Sequence, residues 1–403
     1  MNRRLPWPRR VDIALLCFAA NVIAHCDRVS LGAAAPAMMA EYGWTTAQMG
    51  WVLSAFFAGY AAAMIPVGLA AQRFGPRLVF AVSMGGWSLF TLLTPLARGA
   101  TGLASMRLLL GVGESGTAAC INGTLSRWFP PSEYARAAGL CWSGGYAGPI
   151  LAFPLAYFLA AHFGWRAIFI AFGLFGFLWL PLWLRTREPA VPQARQQARL
   201  DWRLLGEPAV WAVFLLHFSS NWFLYVMISW LPAYLTLERK LSIPEIAAGS
   251  ALPFAFAWAG SNLSAWTIDR LSPRLGRTRT RKLAALVYCA AALSIFLMPR
   301  VSSTNAAIAL LCLAMGLLAA ATPVFAGASL DLAPSMAAAL AAVQNAFANV
   351  AGIIAPAAIG YLVARPGGWP LAFAVTAGVS LLGATAYLAL GRAESLREAV
   401  VRG

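Results

Sequence analysis

The chain has 403 residues, of which 60% are hydrophobic and only 11% are charged. So few charged side chains cannot cover the surface of a water-soluble protein of this size, which excludes a large soluble domain. The formal net charge is +16, but the basic residues separate apolar runs and do not gather on one tail or face, so we expect no nucleic-acid binding. The expected solvent of the chain is the lipid bilayer.

Twelve apolar runs follow one another along the chain, separated by charged residues or by proline and glycine. A bilayer core about 30 Å thick takes about 20 helical residues, so each run is long enough to cross it once. We therefore predict an all-α membrane protein with twelve transmembrane helices. The predicted spans are residues 11–35, 46–71, 77–97, 101–125, 136–160, 165–185, 208–236, 245–268, 282–299, 303–326, 336–362 and 369–391.

The longest polar interruption covers residues 186–207, which contain prolines, glutamines and charged residues. Such a composition is typical of a linker. Because it divides the spans six and six, we predict an N-terminal six-helix bundle at 1–185, a cytoplasmic linker at 186–207 and a C-terminal six-helix bundle at 208–403.

Two short patterns recur in both predicted halves. Gly145-x-x-x-Pro149 in span 5 returns as Gly352-x-x-x-Pro356 in span 11, and the turn at 68–77 has a weaker counterpart at 260–270. Such internal repeats indicate two pseudo-symmetric bundles with a substrate site between them near the middle of the membrane.

The distribution of lysine and arginine predicts the orientation of the chain in the membrane. With both termini in the cytoplasm, 22 of the 30 basic residues fall on the inner side and 6 on the outer side. The other two, Arg28 and Arg107, lie inside predicted spans. This excess obeys the positive-inside rule, so we expect a multi-pass protein of the plasma (inner) membrane with both termini cytoplasmic.

Four charged residues lie well inside predicted spans, away from the span ends: Asp27 and Arg28 in span 1, and Arg107 and Glu114 in span 4. Charges at this depth are costly and usually face a cavity that serves function. At about 1.5 Å of rise per residue, Glu114 lies near the midplane and the two arginines reach similar depths on its outer side.

These depths predict separate roles for the four charges. Two guanidinium groups at one level can bind a carboxylate through paired donors, so Arg28 and Arg107 are the predicted anion-binding residues. Asp27 and Glu114 can exchange protons and are the predicted coupling residues. The alternative is an Asp27–Arg107 or Glu114–Arg28 ion pair that only joins two helices.

The sequence from Gly68 to Arg77 resembles the G-x-x-x-D-R-x-G-x-[RK] loop of the major facilitator superfamily, and the resemblance covers essentially the whole chain. It implies the major facilitator fold, with two bundles that open alternately to the two sides of the membrane. It also implies a role in conformational gating for Gly68, Arg73, Gly75 and Arg77. Gln72 stands where the family has an acid, so a salt bridge at that position is absent or moved.

Four segments resemble the anion:cation symporter branch of that superfamily: 21–31 with its Asp27-Arg28 pair, 107–114, 230–235 and 345–352. The resemblance implies import of a sugar acid, dicarboxylate or similar organic anion in symport with protons, with sodium left open. His25 stands where that branch often has tyrosine, which leaves the identity of the anion open.

Five further polar residues are candidates for substrate binding: His25, Asn221, Tyr225, Asn345 and Asn349. Polar side chains in the middle of spans either line a cavity or bridge helices. For His25 the alternative is a histidine whose hydrogen bonds are satisfied within a packed helix.

The sequence contains no P-loop, no H-E-x-x-H zinc signature and no C-x-x-C pair, so we expect no metal and no cofactor. The three histidines lie on separate spans, so we also expect no enzymatic activity. The expected partners are the bilayer, a small organic anion and protons, and the expected state is a monomer.

Other functions remain as alternatives. Residues 144–149 resemble the helix 5 motif of proton-driven drug exporters, but Ala152 and Phe153 replace the glycine pair that follows it. A transporter-like sensor and a polytopic membrane enzyme are further alternatives.

Overall fold

The computed structural model describes residues 10–187, 189 and 201–396. Within these residues the regular structure is helical and contains no strand. The α-helices in chain order are α1 (Arg10–Tyr42), α2 (Thr46–Phe74), α3 (Pro76–Leu93), α4 (Gly99–Glu114), α5 (Thr117–Trp128), α6 (Pro131–Phe163), α7 (Arg166–Leu184), α8 (Pro208–Ala233), α9 (Ile243–Leu275), α10 (Arg277–Leu297), α11 (Thr304–Ala319), α12 (Thr322–Leu332), α13 (Ala337–Val363) and α14 (Gly368–Leu390).

Each predicted span overlaps one of these helices or two consecutive ones, which confirms the all-α membrane fold. Ten helical segments of the described chain are long and apolar enough to cross a bilayer. The two predicted spans outside this set are 101–125, which is broken into α4 and α5, and 245–268, where α9 is rich in small and polar residues. The total of twelve crossings and the cytoplasmic termini stay predictions.

The turns after α2 and α9 have the same backbone conformation. Gly75 joins α2 to α3 with a φ of 85°, and Gly276 joins α9 to α10 with a φ of 81°. Glycine adopts a positive φ far more readily than other residues. These turns therefore correspond. In this register Gly260 matches Gly59, and each approaches the backbone of a neighbouring helix, so the predicted match of 68–77 with 260–270 is wrong.

The chain divides into two compact units. The first comprises Met1–Gln193 and Leu235–Ala251, and the second comprises Ala194–Tyr234 and Leu252–Gly403. The first unit thus includes a segment, 235–251, that the sequence analysis places in the C-terminal bundle. The predicted limits of the bundles and linker stay predictions, and most of the linker lies outside the described residues.

Glycines on α4 fix the positions of its two charged residues. A Cβ atom on Gly111 would collide with the backbone of α2, and one on Gly113 would collide with α3 at Trp87. Small residues of this kind let helix backbones approach closely. Because Arg107 and Glu114 lie on either side of Gly111 along α4, this contact sets their distance from α2 and α3.

Candidate functional site

Arg28 on α1 and Glu114 at the end of α4 form a buried ion pair. The Arg28 Nε donates to Glu114 Oε1, and the Arg28 side chain is 12% exposed whereas that of Glu114 is fully buried. Glu114 is the last residue of α4, because the helix is interrupted at residues 115–116 before α5 begins. Its other oxygen, Oε2, is buried and has no hydrogen-bond partner among the described residues. The ion pair therefore joins α1 to α4 but leaves one acceptor unused.

Two aromatic residues of α2 lie against the arginines. The Arg28 Cζ lies 5.0 Å from the ring centroid of Tyr60 and 5.5 Å from that of Phe56. The Arg107 Cζ lies 5.3 Å from the Phe56 centroid. Both guanidinium groups therefore lie close enough to the Phe56 ring for a cation–π contact. Phe56 and Tyr60 were not predicted as site residues from the sequence, although their spacing of four residues places them on one face of α2.

Arg107 and Asp27 meet through the backbone of α1. The Arg107 Nη1 donates to the Asp27 carbonyl oxygen at 3.3 Å. The Asp27 carboxylate is fully buried and faces the Trp87 indole and the Thr91 hydroxyl of α3, but none of these groups makes a hydrogen bond of normal geometry. The Arg107 Nε is also buried without a partner in the described structure.

Buried polar atoms without partners are rare in folded proteins, and each costs about 1–3 kcal/mol. Here such atoms belong to Asp27, Trp87, Thr91, Arg107 and Glu114, on three helices of one unit. A carboxylate oxygen without a partner can bind a proton, and an N–H or O–H donor without a partner can bind a ligand oxygen. The arrangement thus fits the predicted roles, and a structural ion pair between two helices stays the alternative.

His25 and its neighbour Asn21 face α6. The Asn21 Nδ2 donates to the Cys141 carbonyl oxygen at 2.9 Å, and the His25 Nδ1 lies 2.9 Å from the Asn21 carbonyl oxygen. A Cβ atom on Gly145 would press against the His25 ring, and one on Gly148 would collide with the Cβ atom of His25. His25 is half-buried in this position, and its role in substrate binding stays a prediction.

Three of the predicted polar residues of the second unit form a chain of hydrogen bonds. The Tyr225 hydroxyl on α8 donates to Asn349 Oδ1 on α13 at 2.8 Å, and Asn349 Nδ2 donates to the Asn345 carbonyl oxygen at 2.8 Å. Asn221 lies one turn before Tyr225 and is 9% exposed. These contacts bridge α8 and α13, and substrate binding by these residues stays a prediction.

The second unit also contains a polar group that the sequence analysis missed. The His217 ring stacks on Phe325 with 4.1 Å between centroids, and its Nδ1 lies 3.1 Å from Gln344 Nε2. Gln344 Oε1 accepts a hydrogen bond from the Ser329 hydroxyl at 3.0 Å. The group connects α8, α12 and α13. Its members are far apart in the sequence, so residue spacing gave no signal.

The predicted gating residues lie around the α2–α3 turn. Arg77 donates to the Leu184 carbonyl oxygen at the end of α7, and the Trp183 indole donates to the Arg77 carbonyl oxygen at 2.9 Å. Arg73 is exposed at the end of α2, and Gly68 has only ordinary packing around it. Arg77 therefore ties the start of α3 to the end of α7, and gating by these residues stays a prediction.

Within the described ranges, no group of three or more His, Cys, Asp or Glu side chains could hold a metal ion.

Comparison with known proteins identifies the family of this chain. The sequence model of the Major Facilitator Superfamily matches residues 17–356. The sodium-dependent phosphate transport protein 1 of Arabidopsis thaliana is 31% identical over 94% of this chain and 79% of its own length. The probable sulfoacetate transporter SauU of Cupriavidus necator is 31% identical over 94% of this chain and 93% of its own length.

Solved structures agree at the level of the fold. A bacterial homologue of the human lysosomal transporter Spinster superposes with a TM-score of 0.81 at 20% identity, covering 96% of this chain and 98% of that one. A D-xylose-proton symporter superposes with a TM-score of 0.80 at 13% identity, covering 95% and 98%. The resemblance seen in the sequence is thus confirmed. The chain is an integral multi-pass membrane protein that belongs to the major facilitator superfamily.

Proposed function

We propose that this chain is a secondary active transporter that imports a small organic anion by proton symport in the plasma (inner) membrane. The observation that carries the proposal is the buried Arg28–Glu114 ion pair, which lies among polar groups without partners. Support comes also from the relatives, which are named as transporters of phosphate, ascorbate and sulfoacetate. We propose a sugar acid, dicarboxylate or similar carboxylate as the substrate.

The ion pair gives a physical link between proton binding and anion binding. Arg28 is the less buried partner, and its guanidinium can bind a carboxylate through paired donors. While Glu114 is ionised, it occupies one of these donors and repels a second negative charge. A proton on Glu114 removes its charge, so Arg28 becomes available to the anion. Proton and anion therefore bind together.

Arg107 and Asp27 have complementary roles in this proposal. Arg107 is 2% exposed and keeps its Nε free of partners in the described structure. Its charge, which like that of Arg28 lies near the Phe56 ring, attracts the anion. The fully buried Asp27 carboxyl is a second position that can hold a proton. With one proton bound for each negative charge of the anion, or with the site empty, the charges balance, and the site can then open to the other side of the membrane.

The test is uptake into proteoliposomes that contain the purified chain. We expect an inward proton gradient to accumulate at least one anion from a panel of sugar acids, dicarboxylates, sulfoacetate and phosphate. A sodium gradient without a proton gradient should not do so. Accumulation driven by sodium alone would contradict the coupling ion, and a lack of uptake with every anion would contradict the proposed substrate class.

The same proteoliposomes test the alternative function, that of a proton-driven drug exporter. The glycines of its motif have a packing role here, because a Cβ atom on Gly144 or Gly148 would collide with the backbone of α1. Proton-driven extrusion of hydrophobic cations without anion uptake would favour the exporter.

A further inference from the structure

The turn between α9 and α10, in the second unit, concentrates positive charge. Its basic residues are Arg270, Arg274, Arg277, Arg279, Arg281 and Lys282. The corresponding residues 69–81 at the α2–α3 turn contain only two, Arg73 and Arg77. Both turns have a glycine of similar positive φ at the same place, so the backbone conformation of the turn does not require the additional charges.

Only part of this charge is neutralised by acidic side chains. Asp331 on α12 accepts a hydrogen bond from Arg277 at 3.3 Å and also pairs with the buried Arg281. No other basic residue of the turn forms an ion pair within the described ranges. The acid next to the turn in sequence, Asp269, is exposed and forms no such pair there either. The turn therefore keeps an excess of positive charge.

The exposed arginines continue the lipid-facing stripes of both helices. On α9, Leu263 and Trp266 are largely exposed, and Arg270 follows Trp266 by four residues on the same helix face. On α10, the exposed Arg279 precedes the exposed Leu283 by four residues. Exposed apolar side chains of a membrane helix face the lipid tails. An arginine one turn beyond them therefore lies at the level of the lipid headgroups.

Trp266 gives independent support for this level. Its ring centroid lies 5.5 Å from the Arg270 Cζ. Tryptophan is common where lipid tails meet headgroups, and a cation–π contact with its ring is favourable. The contact holds the Arg270 guanidinium beside the boundary of the hydrocarbon layer.

We propose that the α9–α10 turn binds the headgroups of anionic phospholipids at the membrane surface. A guanidinium group offers paired donors to phosphate oxygens, and clusters of basic residues next to a transmembrane helix are typical of binding to acidic lipids. A zwitterionic lipid also carries a phosphate, but the cluster repels its ammonium group. The turn therefore selects lipids with a net negative charge. The predicted cytoplasmic position of the turn agrees with this partner, because that leaflet contains acidic lipids.

The experiment uses the full-length purified protein after delipidation. Native mass spectrometry measures binding of added phosphatidylglycerol and phosphatidylcholine. The test variant is Arg270→Gln with Arg279→Gln, which spares the ion pairs of Asp331. The matched control is Arg98→Gln with Arg365→Gln, because these two arginines are also exposed but lie outside the turn. A further variant, Arg270→Lys with Arg279→Lys, keeps the charge.

We expect wild type and the control to bind phosphatidylglycerol more tightly than phosphatidylcholine. The test variant should bind phosphatidylglycerol about tenfold more weakly, and the lysine variant should bind it more tightly than the test variant does. Equal binding of phosphatidylglycerol by the test variant and the control would overturn the proposal.

A second measurement needs no substitution. Salt at about 0.5 M should weaken phosphatidylglycerol binding by the wild-type protein, because it screens the exposed charges. Binding that salt leaves unchanged would also overturn the proposal. Neither assay measures anion uptake, so their failure is distinct from a failure of the proposed transport function.

Discussion

The four charged side chains within α1 and α4 differ in how completely they are satisfied. Arg28 and Glu114 share one direct ion pair, whereas Arg107 donates to the backbone oxygen of Asp27. Removing one partner of a buried ion pair typically costs about 3–5 kcal/mol, because the other charge is left uncompensated. In a neutral variant of Glu114, Arg28 therefore needs another acceptor, such as the anion. Only with that acceptor does the variant resemble the protein with a protonated Glu114.

Phe56 offers a test of the aromatic contact at the residue scale. Cation–π contacts contribute about 0.5–2 kcal/mol each, and Phe56 contacts both Arg28 and Arg107. We expect Phe56→Leu to weaken anion binding by roughly three- to thirtyfold, measured as the Kd in purified protein. The control is Phe172→Leu on α7, a fully buried ring that stacks on Phe175. Equal Kd values for the two variants would contradict the assigned role.

At the scale of helices, close packing determines where the charges lie. α4 packs against both α2 and α3 through glycines, and α6 packs against α1 in the same way. The break between α4 and α5 places Glu114 at a helix end. A displacement of α4 would move Arg107 and Glu114 together. The site therefore depends on the packing glycines, although these glycines bind neither the anion nor the proton.

Gly111→Ala tests this dependence on packing. The new Cβ would overlap the Phe56 carbonyl oxygen, so α2 and α4 must separate. Overpacking of this kind typically costs about 1–3 kcal/mol, and we expect a lower melting temperature together with a large loss of uptake. Gly102→Ala on the same helix is the control, because its Cβ would make only ordinary contacts. A Gly111→Ala variant with wild-type stability and uptake would contradict the packing argument.

At the scale of the whole molecule, the sequence predicted the helices better than their contacts. Long apolar runs identify spans, and charges within them stand out, so Arg28 and Glu114 were found without a structure. Phe56 and Tyr60 were missed because aromatic residues are common in apolar helices. The group around His217 was missed because its helices are distant in sequence. Counting helical rise along the spans placed Arg28 and Arg107 at one depth in the membrane. Which groups they contact depends on how the helices pack, and the sequence does not show that.

A change at Glu114 should separate movement of the anion across the membrane from its coupling to protons. Glu114→Gln removes the exchangeable proton but keeps Arg28 and Arg107. The anion should therefore still bind and exchange across the membrane, whereas a proton gradient should no longer drive its accumulation. Glu133→Gln is the matched control, because Glu133 forms an exposed pair with Arg10, with side-chain exposures of 51% and 55%.

The most direct measurement compares anion counterflow with proton-driven accumulation for these two variants in proteoliposomes. We expect Glu114→Gln to retain counterflow and to lose accumulation, and Glu133→Gln to retain both. Accumulation by Glu114→Gln at the wild-type level under the same proton gradient would contradict the claim that the Arg28–Glu114 pair couples proton and anion.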